Sequence, residues 1–314
     1  MSPIEKRPLG RTGLEVSSVS LGTAGLGGVY GEIDERTAIA TVLRAFELGI
    51  TTFDSSPYYG ATRSETVLGK ALAQLPRGEF VVMTKCGRYG SDEFDFTSAR
   101  IRRSVDESLR RLQIDTLDVL FLHDIEFGDL DRILDESVAT LHELKQRGKA
   151  RAVGITGLPL HLFRTAMERS VQLDAILSYC HGTLFDDSLS GLLPMLAQRG
   201  IGVVNGSPAA MGLLSSRGPQ PWHPADTLVK ERCANAARFT AERGTELATL
   251  AFQFACHLPG VASTLCGATT PRELEGSVHA AGAQIDPDLL RSVLEILQPI
   301  RGRTWLQGRP ENNG

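Results

Sequence analysis

Ionisable side chains end three consecutive apolar runs of the sequence. "ITTFD" ends at Asp54, "FVVMTK" at Lys85 and "LDVLFLH" at His123, while Tyr58 and Tyr59 follow Asp54 within "FDSSPYYG". Each residue alone also fits a structural role, as a turn cap, a solvated charge or a satisfied polar group. Together they favour proton transfer by a phenol, whose free pKa of about 10 is too high for efficient exchange near neutral pH.

A nearby lysine supplies the charge that such a phenol needs. An ammonium about 4 Å away contributes roughly 4 kcal/mol at an effective dielectric near 20, which lowers a tyrosine pKa by about three units. The sequence therefore predicts that Lys85 lowers the pKa of one tyrosine and that Asp54 keeps Lys85 charged and oriented. Neutral His123 would orient or polarise a substrate oxygen.

The elements that position these residues alternate between strands and helices along the whole chain. After a predicted hairpin in "RPLGRTGLEVSSV", the apolar runs are "VSSVSLG", "ITTFD", "FVVMTK", "LDVLFLH", "ARAVGIT", "LDAILSY", "GIGVVNG" and "VASTLCG". Segments with helical periodicity between them include 35–48, 64–74, 97–113, 130–147, 159–169 and 188–200. Continuous apolar strands alternating with helices indicate parallel βα units, and eight of them predict a (β/α)8 barrel as one domain, 1–314. The carboxyl ends of barrel strands share one rim, so the ionisable residues should meet there.

A doubly wound dinucleotide fold is the main alternative, because "GTAGLGGVYG" follows the first strand. Its glycines do not match GxGxxG: Gly25 and Gly27 would need a third glycine where Tyr30 stands. The stretch fits a βα loop that lets the backbone approach a ligand.

Composition narrows the class of protein. The formal charge of −4 gives no reason to expect nucleic acid or an anionic membrane as a partner. Five widely spaced cysteines without a CxxC motif favour a reducing compartment over a disulfide scaffold or a zinc site. The sequence has no apolar run of about 18 residues, and we expect a cytoplasmic enzyme with no metal, either monomeric or dimeric.

The ordered residues Asp54, Tyr59, Lys85 and His123 resemble the catalytic tetrad of the aldo-keto reductases. The family pattern places its tyrosine five residues after its aspartate, which selects Tyr59 over Tyr58. The resemblance runs from "PLGRTGLEVS" to "TWLQG", and the chain is similar to sugar dehydrogenases of that family through "FDSSPYYG", "TKCGRY", "LHDIEFG", "GITGLPL", "ILSYCH", "SPAAMGLL" and "PWHPA". It implies a barrel that binds an extended nicotinamide dinucleotide without a Rossmann motif.

The resemblance also implies a set of cofactor contacts. Besides Asp54, the nicotinamide end would meet Gly22, Thr23, Thr156 and Ser178, the last two in place of the family's serine and glutamine. The pyrophosphate loop and the adenosine end would supply Ser207, Ala209, Gly212, Leu213, Gly267, Thr270, Glu273 and Ser277.

The adenosine end departs from the pattern that binds NADP. In register, the family's Lys-Ser pair becomes Gly267-Ala268 and its later arginine becomes Glu273. The loss of two cations and the gain of a carboxylate disfavour a 2'-phosphate, whereas a carboxylate can accept hydrogen bonds from ribose hydroxyls. We therefore expect NAD as the cofactor.

The resemblance and the NAD preference together imply oxidation of a cyclic aldose at C1 to the aldonolactone. L-Galactose is the first candidate substrate, and L-fucose, D-arabinose and pyridoxal are alternatives. Expected substrate contacts are Tyr58, Asp124, His181, Trp222 and Trp305. Two other functions stay open: a Schiff-base aldolase with Lys85 as nucleophile, and a non-catalytic barrel that senses nicotinamide cofactors.

Overall fold

The computed structural model of the protein describes residues 4–313. The chain begins with an antiparallel hairpin of β1 (Lys6–Pro8) and β2 (Glu15–Ser17), which confirms the predicted hairpin. Leu9 and Leu14 of the hairpin are buried in one cluster with side chains from the barrel strands. A side chain at Gly202, where a strand begins, would collide with Leu9, so the hairpin covers the end of the barrel at which strands begin.

Eight parallel strands form a closed barrel, as the sequence predicts. The strands are β3 (Val19–Gly22), β4 (Thr52–Asp54), β5 (Val81–Cys86), β6 (Leu117–Leu122), β7 (Ala150–Gly157), β8 (Ala175–Tyr179), β9 (Gly202–Gly206) and β10 (Ser263–Cys266). β10 pairs with both β9 and β3, which closes the barrel. The run "VSSVSLG" is divided at Ser18, whose amide bonds Glu5 beside the hairpin and whose carbonyl accepts from Thr264 in the barrel.

Helices connect the strands. They are α1 (Glu35–Glu47), α2 (Arg63–Leu72), α3 (Ser98–Leu112), α4 (Leu130–Arg132), α5 (Val138–Gln146), α6 (Leu160–Glu168), α7 (Leu193–Gln198), α8 (Thr227–Ala241), α9 (Leu247–Cys256), α10 (Pro271–Gly282) and α11 (Pro287–Leu297). The predicted helix 130–147 contains a π-helical segment, Ile133–Ser137, and the predicted helix 188–200 begins with a 3-10 turn, Ser188–Gly191. Over residues 4–313, none of the helices has both the length and the apolar character needed to cross a membrane.

The alternation of side chains along each strand determines which residues face the barrel interior. Met83 and Phe121 belong to the interior cluster, whereas Phe53 belongs to the cluster between barrel and helices. Because successive side chains point to opposite faces, Lys85, His123 and Asp54 face inward at the ends of their strands. The fold therefore brings the ionisable strand ends to one rim, as expected from the sequence.

Candidate active site

Asp54 and Lys85 form a buried ion pair at the ends of β4 and β5. Lys85 Nζ lies 2.8 and 2.7 Å from the two carboxylate oxygens of Asp54 and 2.7 Å from the carbonyl oxygen of Ser55. Both side chains are about 1% exposed. An ammonium has three N–H donors, so these three acceptors account for all of them. The pair is fixed, and Lys85 has no donor left for a further partner.

Tyr59 lies beside this ion pair in the loop after β4. Lys85 Nζ is 4.7 Å from the centre of the Tyr59 ring. The predicted lowering of the tyrosine pKa is wrong for the ligand-free protein: burial, followed by the carboxylates of Asp54 and Asp124, raises the pKa of Tyr59 well above 10. The main physical reason is that the phenol is buried, which disfavours its charged form, and the carboxylates of Asp54 and Asp124 add to this effect.

His123 faces Tyr59 across the same space, with ring centres 5.6 Å apart and ring planes at 89°. Burial lowers the pKa of His123 to about 3, although the nearby Asp124 opposes that change, so the imidazole is neutral as predicted. Its Nδ1 is 3.0 Å from the hydroxyl of Ser56, which accepts the amide N–H of Tyr58. The Ser56 hydroxyl can then donate to Nδ1, which leaves the proton of His123 on Nε2.

Asp124 and Arg88 extend the site beyond the tetrad. Asp124 Oδ2 is 3.6 Å from His123 Nε2 and 2.6 Å from Arg88 Nη1. Burial raises the pKa of Asp124, but the charge of Arg88 and the hydrogen bonds from Arg88 and Thr156 outweigh it, and the net direction is downward. Asp124 was expected from the sequence as a substrate contact. Sequence reasoning assigned no role to Arg88 or Ser56, although they lie within the quoted motifs "TKCGRY" and "FDSSPYYG".

The two expected carboxamide contacts lie on different faces of the barrel wall. Thr156 accepts the amide N–H of Asp124 at 2.8 Å, and its hydroxyl donates to Asp124 Oδ1 at 3.1 Å. Ser178 pairs in register with Gly157 and directly follows Leu177, a member of the interior cluster. Alternation therefore turns Ser178 outward, away from Thr156. Its buried hydroxyl has no hydrogen-bond partner, and the structure does not bring it to the tetrad.

Gly22 and Thr23 lie directly beside Asp54. Gly22 pairs with Asp54 in the β3–β4 ladder. The fully buried hydroxyl of Thr23 is 2.8 Å from the carbonyl oxygen of Asp54 and 2.6 Å from the hydroxyl of Ser64. Thr23 thus supports the backbone of Asp54 from inside the protein. The expected position of Gly22 and Thr23 at the nicotinamide end of a cofactor stays a prediction.

Two of the four amide donors expected in the loop after β9 are already used within the protein. The amides of Gly212 and Leu213 donate within the loop, to Ala209 at 3.0 Å and Ala210 at 3.2 Å. Leu213 is also buried in the apolar core. Over residues 4–313, the amides of Ser207 and Ala209 donate no hydrogen bond. Of the four expected donors, these two are available to an anionic ligand.

The residues expected at the adenosine end lie around the start of α10. Thr270 caps this helix by accepting the Glu273 amide at 3.2 Å, and the Ser277 hydroxyl donates to the Glu273 carbonyl at 3.1 Å. Both hydroxyls are therefore used within the helix. A side chain added at Gly267 would meet no atom within 4 Å, so this position is open to a ligand.

The carboxylate of Glu273 already has protein partners. One oxygen accepts the amide and hydroxyl of Thr269 at 3.0 and 2.7 Å, and the other is 3.2 Å from Arg217. The side chain of Arg217 is 84% exposed, so this ion pair is weak. Sequence reasoning missed Arg217. Its positive charge lies next to Glu273, the position at which the family pattern has an arginine.

His181, Trp222 and Trp305 are the remaining expected substrate residues. His181 is buried and bonded through Nδ1 to Asp186 at 2.7 Å. Trp305 is buried with its ring edge against His223, and Trp222 is 52% exposed. Within residues 4–313, no hydrogen bond or ring contact joins these three residues to the tetrad.

Trp222 nevertheless borders the mouth of the barrel through Tyr30. The two ring centres are 6.3 Å apart. Tyr30 is about 40% exposed, and its partial burial, followed by the nearby phenol of Tyr59, raises its pKa. Tyr30 is thus a further residue at this rim. Sequence analysis noted it only because it interrupts the glycine pattern and assigned it no role in the site.

The chain is similar to known proteins along nearly its whole length. Residues 18–298 match the family model described as "Aldo/keto reductase family". The chain is 45% identical to "L-galactose dehydrogenase" of Arabidopsis thaliana over 99% of this chain and 100% of that protein. It is 34% identical to "D-arabinose 1-dehydrogenase" of Saccharomyces cerevisiae over 76% of this chain and 75% of that protein. The structure of an aldo-keto reductase from Bacillus halodurans in its holo form superposes with a TM-score of 0.79, at 26% identity over 99% of this chain and 100% of that one.

Proposed function

Because the chain belongs to the aldo/keto reductase family, we propose that it is an NAD-dependent aldose 1-dehydrogenase that converts L-galactose to its lactone. The observation that carries this proposal is the buried Asp54–Lys85 pair with Tyr59 and neutral His123 around one space. The full-length similarity to an L-galactose dehydrogenase and the similarity to a D-arabinose 1-dehydrogenase support a sugar as substrate.

Members of this family use nicotinamide cofactors, and the oxidised nicotinamide supplies, when bound, the hydride acceptor and a positive charge that favours a tyrosine phenolate. Tyr59 then removes the proton of the hydroxyl on C1. The Nε2–H of His123 donates to the same oxygen and orients it. Lys85, kept charged by Asp54, stabilises the phenolate electrostatically. The role of each residue follows from its protonation state and position.

The tyrosine assignment is tested by Tyr59→Phe, with Tyr58→Phe as the matched control in the same loop. General acid–base catalysis contributes about 10²- to 10⁴-fold, so turnover of L-galactose should fall by that factor in Tyr59→Phe. NAD affinity, measured by quenching of protein fluorescence, should be nearly unchanged. Equal losses in the two variants, or substantial turnover by Tyr59→Phe, would refute the assignment.

NAD is proposed over NADP because Gly267 leaves open space where the family pattern has a lysine, and Glu273 places a carboxylate nearby. Arg217 reduces this negative charge, but its high exposure limits its effect. A Gly267→Lys/Glu273→Arg variant should gain kcat/KM with NADP relative to NAD. Glu275→Arg, which reverses a charge on the exposed side of the same helix, is the control for net charge. No gain with NADP in the double variant would contradict the proposal.

The reaction itself is tested with purified protein, NAD or NADP, and L-galactose, L-fucose, D-arabinose and pyridoxal. Strong NAD-dependent turnover of L-galactose is the expected result. Turnover of pyridoxal alone would move the substrate to that class. Failure with every substrate while NAD still binds would favour a sensing role without catalysis.

A Schiff-base aldolase is less compatible with the geometry. A lysine nucleophile must lose its proton, but Lys85 donates three hydrogen bonds, two of them to a carboxylate. Borohydride should therefore trap no sugar adduct on Lys85.

A further inference from the structure

Ser64 is a fully buried residue at the start of α2 that bonds to both the end of β4 and the loop that carries Tyr59. Its hydroxyl oxygen is 2.6 Å from the hydroxyl of Thr23 and 3.0 Å from the carbonyl oxygen of the same residue. It is also 2.9 Å from the hydroxyl of Ser55. The amide N–H of Ser64 donates to the carbonyl oxygen of Tyr59 at 3.2 Å. One residue thus joins two segments that carry the proposed catalytic groups.

The hydroxyls of Thr23, Ser64 and Ser55 form a chain of hydrogen bonds with one consistent direction. Thr23 donates to the carbonyl oxygen of Asp54 at 2.8 Å, because a carbonyl can only accept. Ser64 directs its single proton towards Thr23, and Ser55 donates to the oxygen of Ser64. Within residues 4–313 the Ser55 hydroxyl has no other hydrogen-bond partner. Removal of the middle hydroxyl therefore interrupts the whole chain, which ends at Asp54.

The distance between Lys85 and Tyr59 depends on the two segments that Ser64 joins. Lys85 Nζ is held by the carboxylate of Asp54 and by the carbonyl oxygen of Ser55, so the ammonium follows the end of β4. The Tyr59 ring follows the loop after β4. The ammonium nitrogen and the ring centre are 4.7 Å apart. Because the attraction between two charges falls as their distance grows, a relative movement of the two segments weakens the stabilisation of a phenolate.

We propose that Ser64 is a positioning residue of the reaction, which holds the Asp54–Lys85 pair at the distance from Tyr59 that proton transfer requires. This inference rests on the proposed function. Ser64 is fully buried, so it acts through its neighbours and touches neither the sugar nor the cofactor. A displacement of about 1 Å at a reacting centre can cost about 100-fold in rate. We therefore expect kcat of Ser64→Ala to fall by about 10- to 100-fold.

The experiment measures kcat for L-galactose with saturating NAD as a function of pH in the wild type and in Ser64→Ala. The pH dependence of kcat reports ionisations in the complex with substrate. In Ser64→Ala the ionisation of the catalytic base should move to higher pH, because Lys85 stabilises the phenolate less well. KM for L-galactose and the affinity for NAD should be nearly unchanged. A residue with a purely structural role would instead scale kcat equally at every pH.

Ser263→Ala is the matched control. Ser263 is also a fully buried serine, and its hydroxyl bonds the hydroxyl of Ser20 and, at 2.6 Å, the carbonyl oxygen of Ser17. These contacts lie at the start of β10 rather than beside the ion pair. The control variant should lose stability in urea denaturation, but it should keep the wild-type kcat and the wild-type pH dependence.

Ser55→Ala is a second variant that leaves Ser64 in place and keeps the inference testable if Ser64→Ala does not fold. It removes the first hydroxyl of the chain and keeps the carbonyl oxygen that accepts from Lys85. It should lower kcat and move the ionisation in the same direction as Ser64→Ala, by a smaller amount.

The outcomes separate this inference from the proposed function. A wild type that oxidises no aldose refutes the proposed function, and the inference falls with it. An active wild type whose kcat profile is unchanged in both Ser64→Ala and Ser55→Ala overturns the inference alone. The same holds if these variants lower kcat without moving the ionisation, or if Ser263→Ala moves it equally.

Discussion

Replacing Glu126 with glutamine should remove a pH-dependent loss of stability. Glu126 follows β6 and is fully buried. Its Oε1 accepts the Leu158 amide at 3.1 Å and the Tyr179 hydroxyl at 3.0 Å, while Oε2 has no partner. Burial, followed by the charge of Asp124, raises the pKa of Glu126 to about 8. The carboxyl is therefore protonated in the folded protein at neutral pH.

The magnitude follows from the two pKa values. The ordinary value is 4.5, and the difference of 3.5 corresponds to about 5 kcal/mol. Because the folded-state pKa of Glu126 is raised, the protein has its full stability with respect to this group below pH 4.5. That stability is lost progressively as the pH rises from 4.5 towards 8. In that interval the unfolded chain has released the proton and the folded chain has kept it. The free energy of unfolding should fall by about 1.4 kcal/mol per pH unit from this group.

The assay is urea denaturation at pH 5, 7 and 9 for the wild type and Glu126→Gln. Glutamine is neutral at each pH and keeps an acceptor for Leu158 and Tyr179, so its stability relative to the wild type should rise from pH 5 to pH 9. Glu65→Gln is the control: this buried glutamate is paired with Arg111 at 2.7 Å, and removing its charge should be destabilising. Parallel curves for the wild type and Glu126→Gln would refute the reasoning.

Three further predictions concern the rim of the barrel. Lys85→Met leaves the partner carboxylate buried and unpaired, so the free energy of unfolding in denaturant should fall by about 3–5 kcal/mol; an unchanged midpoint would contradict the ion pair. Gly60 has φ +61°, and a side chain there would lie 1.9 Å from a backbone oxygen. Gly60→Ala should therefore lower the free energy of unfolding, followed by thermal melting, by at least about 2 kcal/mol. Gly78→Ala, with open space around it, is the control and should not lower it. Since the pKa of His123 is about 3, the pH profile of kcat/KM should show no ionisation near pH 6.5. An ionisation near pH 6.5 that is present in the wild type and absent in His123→Gln would contradict this, because it would show that the imidazole gains a proton at that pH.

The C-terminal segment shows how distant parts of the sequence meet at one residue. The carbonyl of Glu126 accepts the Arg309 amide at 2.8 Å and the Asn312 side chain at 2.9 Å. Gln307 donates to the Tyr179 hydroxyl at 3.1 Å, which itself donates to Glu126. The polar sequence of this tail predicts fraying after Trp305, but the structure fixes the tail through hydrogen bonds to the rim. Such contacts between residues more than 120 positions apart leave no local pattern in the sequence.

The sequence by itself determined the barrel and the order of the proposed tetrad. Buried parallel strands are continuous apolar runs, and their carboxyl ends share a rim, so Asp54, Lys85 and His123 could be placed together from their position at strand ends. The neutral state of His123 was predicted as part of the proposed chemistry, and burial of the imidazole in the structure agrees with it. The single-domain boundaries, 1–314, and the cofactor contacts remain predictions.

Tertiary structure alone decided the protonation of Tyr59, the orientation of Ser178 and the partners of Arg88. A pKa depends on burial and on every charge within several ångströms, and for Tyr59 burial and the carboxylates of Asp54 and Asp124 raise the pKa despite the nearby lysine. A shift of one residue turns a strand side chain to the other face of the sheet. For this reason the side chain of Ser178 points away from the barrel interior, although that of its neighbour Leu177 points into it. The cluster of Arg88 with Phe127 joins loops from two different strands. These properties arise from distances between residues that are remote in the chain, and sequence spacing does not encode them.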